Sequence, residues 1–167
     1  MHLHDWQAFV NKTSRNMGAV GKNAIVPRIA DVLLKHNVSL RTKVLDFGAG
    51  KDIAHTKWLR KRGWHIDACE VGHNHTEGIH SAPTIAHHYD LVFASNVLNV
   101  QPDLEWLKHT VFMLAYYTRG VMVCNYPDDP RHSSCKPSDV LWLLEHRFDI
   151  VEHIYGTPNR PVWLCVR

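Results

Sequence analysis

Residues Lys43 to Asp52, KVLDFGAGKD, constrain this chain more than any other stretch, because a short apolar strand runs into Asp46, Gly48 and Gly50 before a helical segment opens. Glycines at alternate positions give the backbone conformations closed to residues with a Cβ, and they let a ligand come close to the main chain. The helix that follows adds its N-terminal amides. Strand, glycine turn and helix in that order mark a nucleotide-binding turn of an α/β fold.

A dinucleotide fingerprint needs its third glycine three residues after Gly50, where this chain has Ile53. The spacing instead resembles motif I of the class I S-adenosylmethionine (SAM)-dependent methyltransferases. In that motif an acid is followed by glycines at the second, fourth and often sixth positions. Asp46, Gly48 and Gly50 fit it, and Asp52 departs from it at the sixth position.

Two further elements follow in the order that resemblance requires. Trp64 to Glu70, WHIDACE, comes after the breaker Gly63 and reads as a short strand ending in an acid that can accept hydrogen bonds from both ribose hydroxyls. Tyr89 to Val100, YDLVFASNVLNV, reads as a long apolar strand turning polar at Ser95 and Asn96. The resemblance places its carboxyl end beneath the transferred methyl, with Ser95, Asn96 and Asn99 at the reaction centre. It covers roughly residues 43 to 100. On "LDFGAGKD" and "SNVLNV" the chain also resembles small bacterial and phage methyltransferase-like proteins, including those associated with DNA phosphorothioation.

The resemblance implies a doubly wound, mostly parallel sheet with a C-terminal antiparallel hairpin, shortened around the third strand. Too few residues separate Glu70 from Tyr89 for a full helix and strand, so Pro83 to Ala86 is expected to be a remnant third strand. The terminal hairpin is read independently. Phe148 to Gly156 and Pro161 to Arg167 are strand-like and joined by Thr157 to Arg160, a link too short for a crossover helix.

Periodicity supplies the helices. Ile25, Val26, Ile29, Val32 and Leu33 predict a helix over about 25 to 37, with Pro27 in its first turn. Asn11 to Asn23 is polar, carries Gly18 and Gly21, and is expected to form a loop or lid. In the helix after Asp52, Ala54, Trp58 and Leu59 form the expected buried stripe, with Lys57, Arg60, Lys61 and Arg62 around it. Asp103 is expected to cap an amphipathic helix ending near Arg119 and Gly120, before a buried strand from Gly120 to Pro127. A polar loop and a helix carrying Val140, Leu143, Leu144 and Phe148 complete the chain.

The whole chain, 167 residues, has room for one core and little more, so it is read as a single methyltransferase-like domain: a lid and helix in 1–38 and a SAM-binding core in 39–167. No apolar run reaches the roughly 18 residues of a membrane span. The N-terminus lacks the layout of a signal peptide, and the expected location is cytoplasmic.

The four cysteines lack the close paired spacing of a zinc site. Cys69, Cys124 and Cys165 are expected as buried thiols and Cys135 as an exposed one. Among the 14 histidines, His73, His75 and His80 are the set most suggestive of an ion, but no motif fixes their geometry and no metal is assigned.

The implied cofactor is SAM, held by Asp46, Gly48, Gly50, Asp52, Glu70, Ser95 and Asn96, with Asn96, Tyr126 and His132 as candidate catalytic groups. Asn125 and Asp129 are secondary candidates. The methyl acceptor is unidentified, and a nucleic acid stays open because a net charge of +3 is compatible with one. Asn125-Tyr-Pro-Asp stands at the wrong strand, in the wrong order, for the motif of DNA amino-methyltransferases. Two other readings compete: a SAM-binding subunit that transfers nothing without a partner, and a nicotinamide-binding, dehydrogenase-like domain.

Overall fold

The computed structural model describes residues 24–36, 42–70, 74–82, 88–127 and 133–167. Helix α1 (Ile25–His36) precedes β1 (Val44–Phe47), α2 (Ala54–Arg60) and β2 (Ile66–Cys69). After these come β3 (Tyr89–Ala94), a 3-10 turn (Leu98–Val100), α3 (Leu104–Tyr117) and β4 (Thr118–Asn125). Helix α4 (Pro137–Glu145) and the strands β5 (Ile150–Tyr155) and β6 (Val162–Val166) complete the chain.

The strands form one sheet in the order β2-β1-β3-β4-β6-β5. The first four are parallel, and β6 runs antiparallel to both β4 and β5, as the hairpin reading requires. Gly156, at φ 88, turns the chain at the head of the 157–160 link, and Arg160 N–H closes that link on Thr157 O at 2.9 Å. The proposed remnant strand Pro83 to Ala86 lies outside the described residues. Within them, Ser81 N–H donates to Ala68 O of β2 at 2.6 Å, so the chain returns to the open side of β2 just ahead of that stretch.

Alternate strand residues bury on opposite faces, which makes a three-layer sandwich. Val44, Leu91, Phe93, Val123 and Val162 pack with α1 through Val26, Ala30 and Leu34, and with α2 through Leu59. On the other face Leu45, Val92, Met122, Cys124, Trp163 and Cys165 meet Leu107, Val111 and Leu114 of α3 and Val140 and Leu144 of α4. Buried on both faces, β3 reads as a continuous apolar run. Asp103 caps α3 by accepting from Trp106 N–H at 3.0 Å. Pro137 opens α4, where Asp139 accepts from Lys136 N–H at 2.7 Å.

Several expectations are corrected. Val32 faces solvent at 51% exposure, and the buried stripe of α1 is Val26, Ala30 and Leu34. On α2 the buried face is His55, Thr56 and Leu59, with Ala54 exposed. Two of that helix's cations are occupied: Arg60 donates to Ile66 O, and Arg62 lies over the Trp58 ring at 3.8 Å and 3.6 Å from Asp31. β3 stops at Ala94 because Asn96 turns the backbone. Gly120 lies inside β4 rather than ending α3, for the strand begins at Thr118. Cys135 is buried, beneath the Tyr126 hydroxyl.

Candidate active site

The chain passes from β1 outward to β2 and then returns to place β3 on the other side of β1. Open α/β sheets bind their ligands in the crevice at such a switch, at the carboxyl ends of the strands. The residues singled out from the motifs meet there: Asp46 and the glycines after β1, Glu70 after β2, and Ser95 and Asn96 after β3.

Gly48 (φ 75) and Gly50 (φ 72) both adopt left-handed conformations. Gly48 N–H and Ala49 N–H both donate to Cys69 O, at 2.9 and 3.0 Å, fastening the turn to the end of β2. A Cβ on Gly48 would come to 2.5 Å from Val97 Cγ2, so the turn abuts the chain leaving β3 as well. At Gly50 no atom lies within 4 Å of the corresponding position, which leaves the backbone open to a ligand. The Gly50 N–H donates to Glu70 Oε2 at 2.6 Å. Ile53 takes φ 44 at the entry to α2, a left-handed conformation that β-branched residues rarely adopt.

Asp46 is 1% exposed. Its Oδ2 accepts from the Thr56 hydroxyl at 2.7 Å, while Oδ1 is buried with no hydrogen-bond partner among the described residues. Burial pushes its carboxyl up to about 7; the Thr56 hydrogen bond pulls the other way, and the Glu70 charge adds to the rise. Ser95 Oγ and Asn99 Oδ1 are likewise buried without partners among the described residues. Leaving such an atom unpaired costs about 1–3 kcal/mol. Three of them, Asp46 within β1 and Ser95 and Asn99 beyond the adjacent β3, are what a ligand with several donors would satisfy.

Asn96 turns the chain at φ 57, and its backbone N–H donates to Asn125 Oδ1 at 2.7 Å. Asn125 Nδ2 donates in return to Asn96 Oδ1 at 2.7 Å. Asp52 is exposed in the turn ahead of α2. Tyr126 is a correction: it is 1% exposed, its hydroxyl donates to Cys135 O at 2.5 Å, and burial raises its phenol pKa. So enclosed, it anchors the 133–136 segment rather than offering an open acid or base. His132 and Asp129 lie outside the described residues.

Two participants escaped the sequence reading. Thr56 had a readable signal, a hydroxyl on the buried face of the helix that follows the acid. His80 had none for this role, having stood out only beside His73 and His75 as a set suggestive of an ion. Its Nε2 lies 3.0 Å from Gly50 O, and its Nδ1 accepts from Thr76 N–H at 2.8 Å. Among the described residues no group of three or more His, Cys, Asp or Glu side chains is arranged to hold a metal ion. His73 of the suggested trio lies outside them.

The acceptor-rich lining suits a ligand carrying hydroxyls and positive charge, and suits a pyrophosphate poorly. The Gly50 N–H that would meet a phosphate is held by a carboxylate, with Asp46 buried close by. A cleft of about 720 Å³ lined by Lys43, Arg60, Trp64, Asp67 and Tyr89 lies at the amino ends of β1, β2 and β3, the other end of the same strands. None of the three unpaired atoms belongs to a residue lining it, and it is not the site described here.

No family model matches the chain, and no curated protein matches it in sequence. Solved structures do match in fold. Magnesium protoporphyrin IX methyltransferase from Synechocystis PCC 6803 with bound SAM aligns over 98% of this chain and 96% of its own, with a TM-score of 0.63 and 14% identity. The sugar N-methyltransferase KedS8 from Streptoalloteichus covers 99% and 93%, at 0.62 and 13%. A TehB-like SAM-dependent methyltransferase from Corynebacterium glutamicum covers 90% and 92%, at 0.61 and 16%. The fold is that of the class I SAM-dependent methyltransferases. The narrower likeness to phage and phosphorothioation-associated proteins is not supported by these matches.

Proposed function

We propose that this chain is a SAM-dependent methyltransferase. The observation that carries the reading is the set of unpaired buried acceptors, Asp46 Oδ1, Ser95 Oγ and Asn99 Oδ1, beside a glycine turn whose Gly50 N–H is closed by Glu70. The fold neighbours add support, since one of them was crystallised with SAM and again with S-adenosylhomocysteine.

Glu70 would accept from the ribose hydroxyls, and Gly48 and Gly50 would let the cofactor approach the main chain. Asp46 would place negative charge near a cationic ligand. Ser95 and Asn99 would supply the remaining acceptors, and Asp52 would border the turn from outside. When bound, SAM supplies an electrophilic methyl group for in-line displacement by the acceptor. Asn96, locked by Asn125, would orient that acceptor, and His132 would exchange its proton. Holding two reactants in line is worth up to about 7–11 kcal/mol of the barrier, so positioning can supply much of the rate.

The reading includes residues 1–38 as lid and helix beside a 39–167 core, and a cytoplasmic setting. No helix among the described residues is long and apolar enough to cross a membrane. The acceptor is a small molecule or a nucleic acid. Neighbours named for porphyrin and sugar methylation favour the small molecule; one named as a 16S rRNA enzyme, with guanosine bound, keeps the other open. The second reading, a SAM-binding subunit that requires a partner for transfer, rests on the short spacing between Glu70 and Tyr89 and on Asp52 at the sixth position of the motif.

Titration calorimetry with SAM, S-adenosylhomocysteine and NAD(H), on the wild type and on Glu70→Ala, tests the proposal. Selective binding of the first two, weakened by the substitution, is the expected result. No SAM binding, or a preference for NAD(H), would overturn it. With SAM binding established, transfer that appears only with a partner present would favour the second reading.

A further inference from the structure

Every backbone polar group of Gly50 is held by a side chain from outside the turn. Its N–H goes to the Glu70 carboxylate at 2.6 Å, and its carbonyl meets His80 Nε2 at 3.0 Å besides accepting, at the longer distance of 3.2 Å, from Ile53 N–H within the turn. His80 is 7% exposed and comes from the 74–82 segment, which is itself pinned by Ser81 N–H to Ala68 O and by His80 N–H to Thr76 O.

The tautomer of that imidazole follows from its partners. Thr76 N–H can only donate, so at 2.8 Å Nδ1 must present its lone pair. The proton of the neutral ring is then on Nε2, which donates to Gly50 O. The alternative tautomer would exchange the 2.8 Å bond from Thr76 N–H for a longer contact to Thr76 O at 3.3 Å and would set two acceptors against each other at Gly50. Packing alone does not require such directional pairing, since an apolar side chain would fill the same space.

We infer that His80 is a positioning residue for the cofactor turn, holding the Gly50 peptide in its ligand-ready orientation from the carbonyl side. The inference rests on the methyltransferase reading and deepens it. Glu70 is the group assigned to the ribose, and a carboxylate drawn toward ribose hydroxyls holds the Gly50 N–H less firmly. His80 is not among the groups assigned to the cofactor, so it keeps the left-handed Gly50 in place while Glu70 is engaged. The same bond ties the 74–82 segment, on the open side of β2, to the turn.

The test compares His80→Ala, His80→Gln and His80→Asn for SAM affinity by calorimetry and for thermal midpoint. A glutamine amide nitrogen reproduces the Nε2 donor toward Gly50; an asparagine oxygen reproduces only the Nδ1 acceptor toward Thr76. Loss of the bond, which leaves the Gly50 carbonyl only the longer contact from Ile53 N–H at 3.2 Å, should weaken SAM binding roughly tenfold in His80→Ala. Glutamine should restore most of it and asparagine should not, whatever each does to the midpoint. Equal rescue by both, rescue by neither, or wild-type affinity in all three variants would overturn the inference. A wild type that fails to bind SAM would overturn the function and the inference together; a wild type that binds, with affinity indifferent to His80, would overturn the inference alone. Should His80→Ala fail to fold, the glutamine and asparagine variants decide the matter.

Discussion

Asn96 and Asn125 hold one another at two points, joining the carboxyl ends of the neighbouring parallel strands β3 and β4. Asn96 is left-handed at φ 57, a conformation that asparagine tolerates better than most residues with a Cβ. The pair explains why β3 stops: past Ala94 the backbone turns, and the Asn96 N–H goes to a side chain of β4 instead of the ladder.

Asn125→Ala removes both bonds and strands a part-buried N–H. A loss of about 1–3 kcal/mol is expected, read as a lower urea midpoint at unchanged slope. Asn96→Gly keeps the left-handed turn and the backbone bond, so it should lie closer to the wild type than Asn125→Ala does. The reverse order would mean that the backbone freedom gained by glycine at position 96 costs more than the bond from Asn96 N–H contributes.

Ile53 enters α2 at φ 44 while only 4% exposed, so a strained backbone is held by burial of its side chain among Ala49 and Ala68. Truncation to alanine discards most of the burial and keeps the strain. Truncation to glycine discards the burial and releases the strain. Ile53→Gly should therefore be the more stable of the two by about 1 kcal/mol, the opposite of the order in an ordinary helix. Chemical denaturation of the two variants side by side decides it.

The parts of the site readable in the sequence were those in which chemistry forces a residue type at a spacing. Gly48 and Gly50 announce positive φ, Glu70 closes a strand twenty residues beyond Gly50, and the 157–160 link is too short for anything except a hairpin. Contacts that depend on tertiary register left no local trace. His80 reaches Gly50 across thirty residues, and Tyr126 is buried because its hydroxyl finds Cys135 nine residues on. Ile53 shows how one residue can mislead: it lacks the glycine that the dinucleotide spacing demands, yet its backbone adopts a glycine-like angle.

Gly120 was misread for a related reason. A glycine following the cationic Arg119 looks like a helix end, but it lies within β4, where a Cβ would stand 2.6 Å from Asp90 O. That oxygen belongs to the backbone of β3, which cannot swing aside as a flexible side chain does. Gly120→Ala should cost about 1–3 kcal/mol, although alanine ordinarily improves on glycine inside a strand. A thermal midpoint at or above that of the wild type would show that the β3 irregularity between Tyr89 and Leu91 absorbs the methyl.

Asp46 makes the stability of the protein depend on pH with a sign opposite to that of a salt-bridged carboxylate. Burial raises its folded-state pKa to about 7, against about 3.9 in the unfolded chain. Between those values the native state holds a proton that the unfolded state has lost. The contribution is therefore full below about pH 4 and is lost as pH rises through about 7, for a total on the order of 1–4 kcal/mol. Fourteen histidines titrate in overlapping ranges, so the measurement is the difference between the wild type and Asp46→Asn, whose amide does not titrate. The difference in urea midpoint should move against the wild type from about pH 4.5 to about pH 7.5, and a constant difference would remove Asp46 as its source. Cofactor binding supplies an independent check on the same group. A cationic ligand beside Asp46 favours the ionised form, so SAM binding near pH 6 should release protons in the wild type, seen as buffer-dependent calorimetric heats, and fewer in Asp46→Asn.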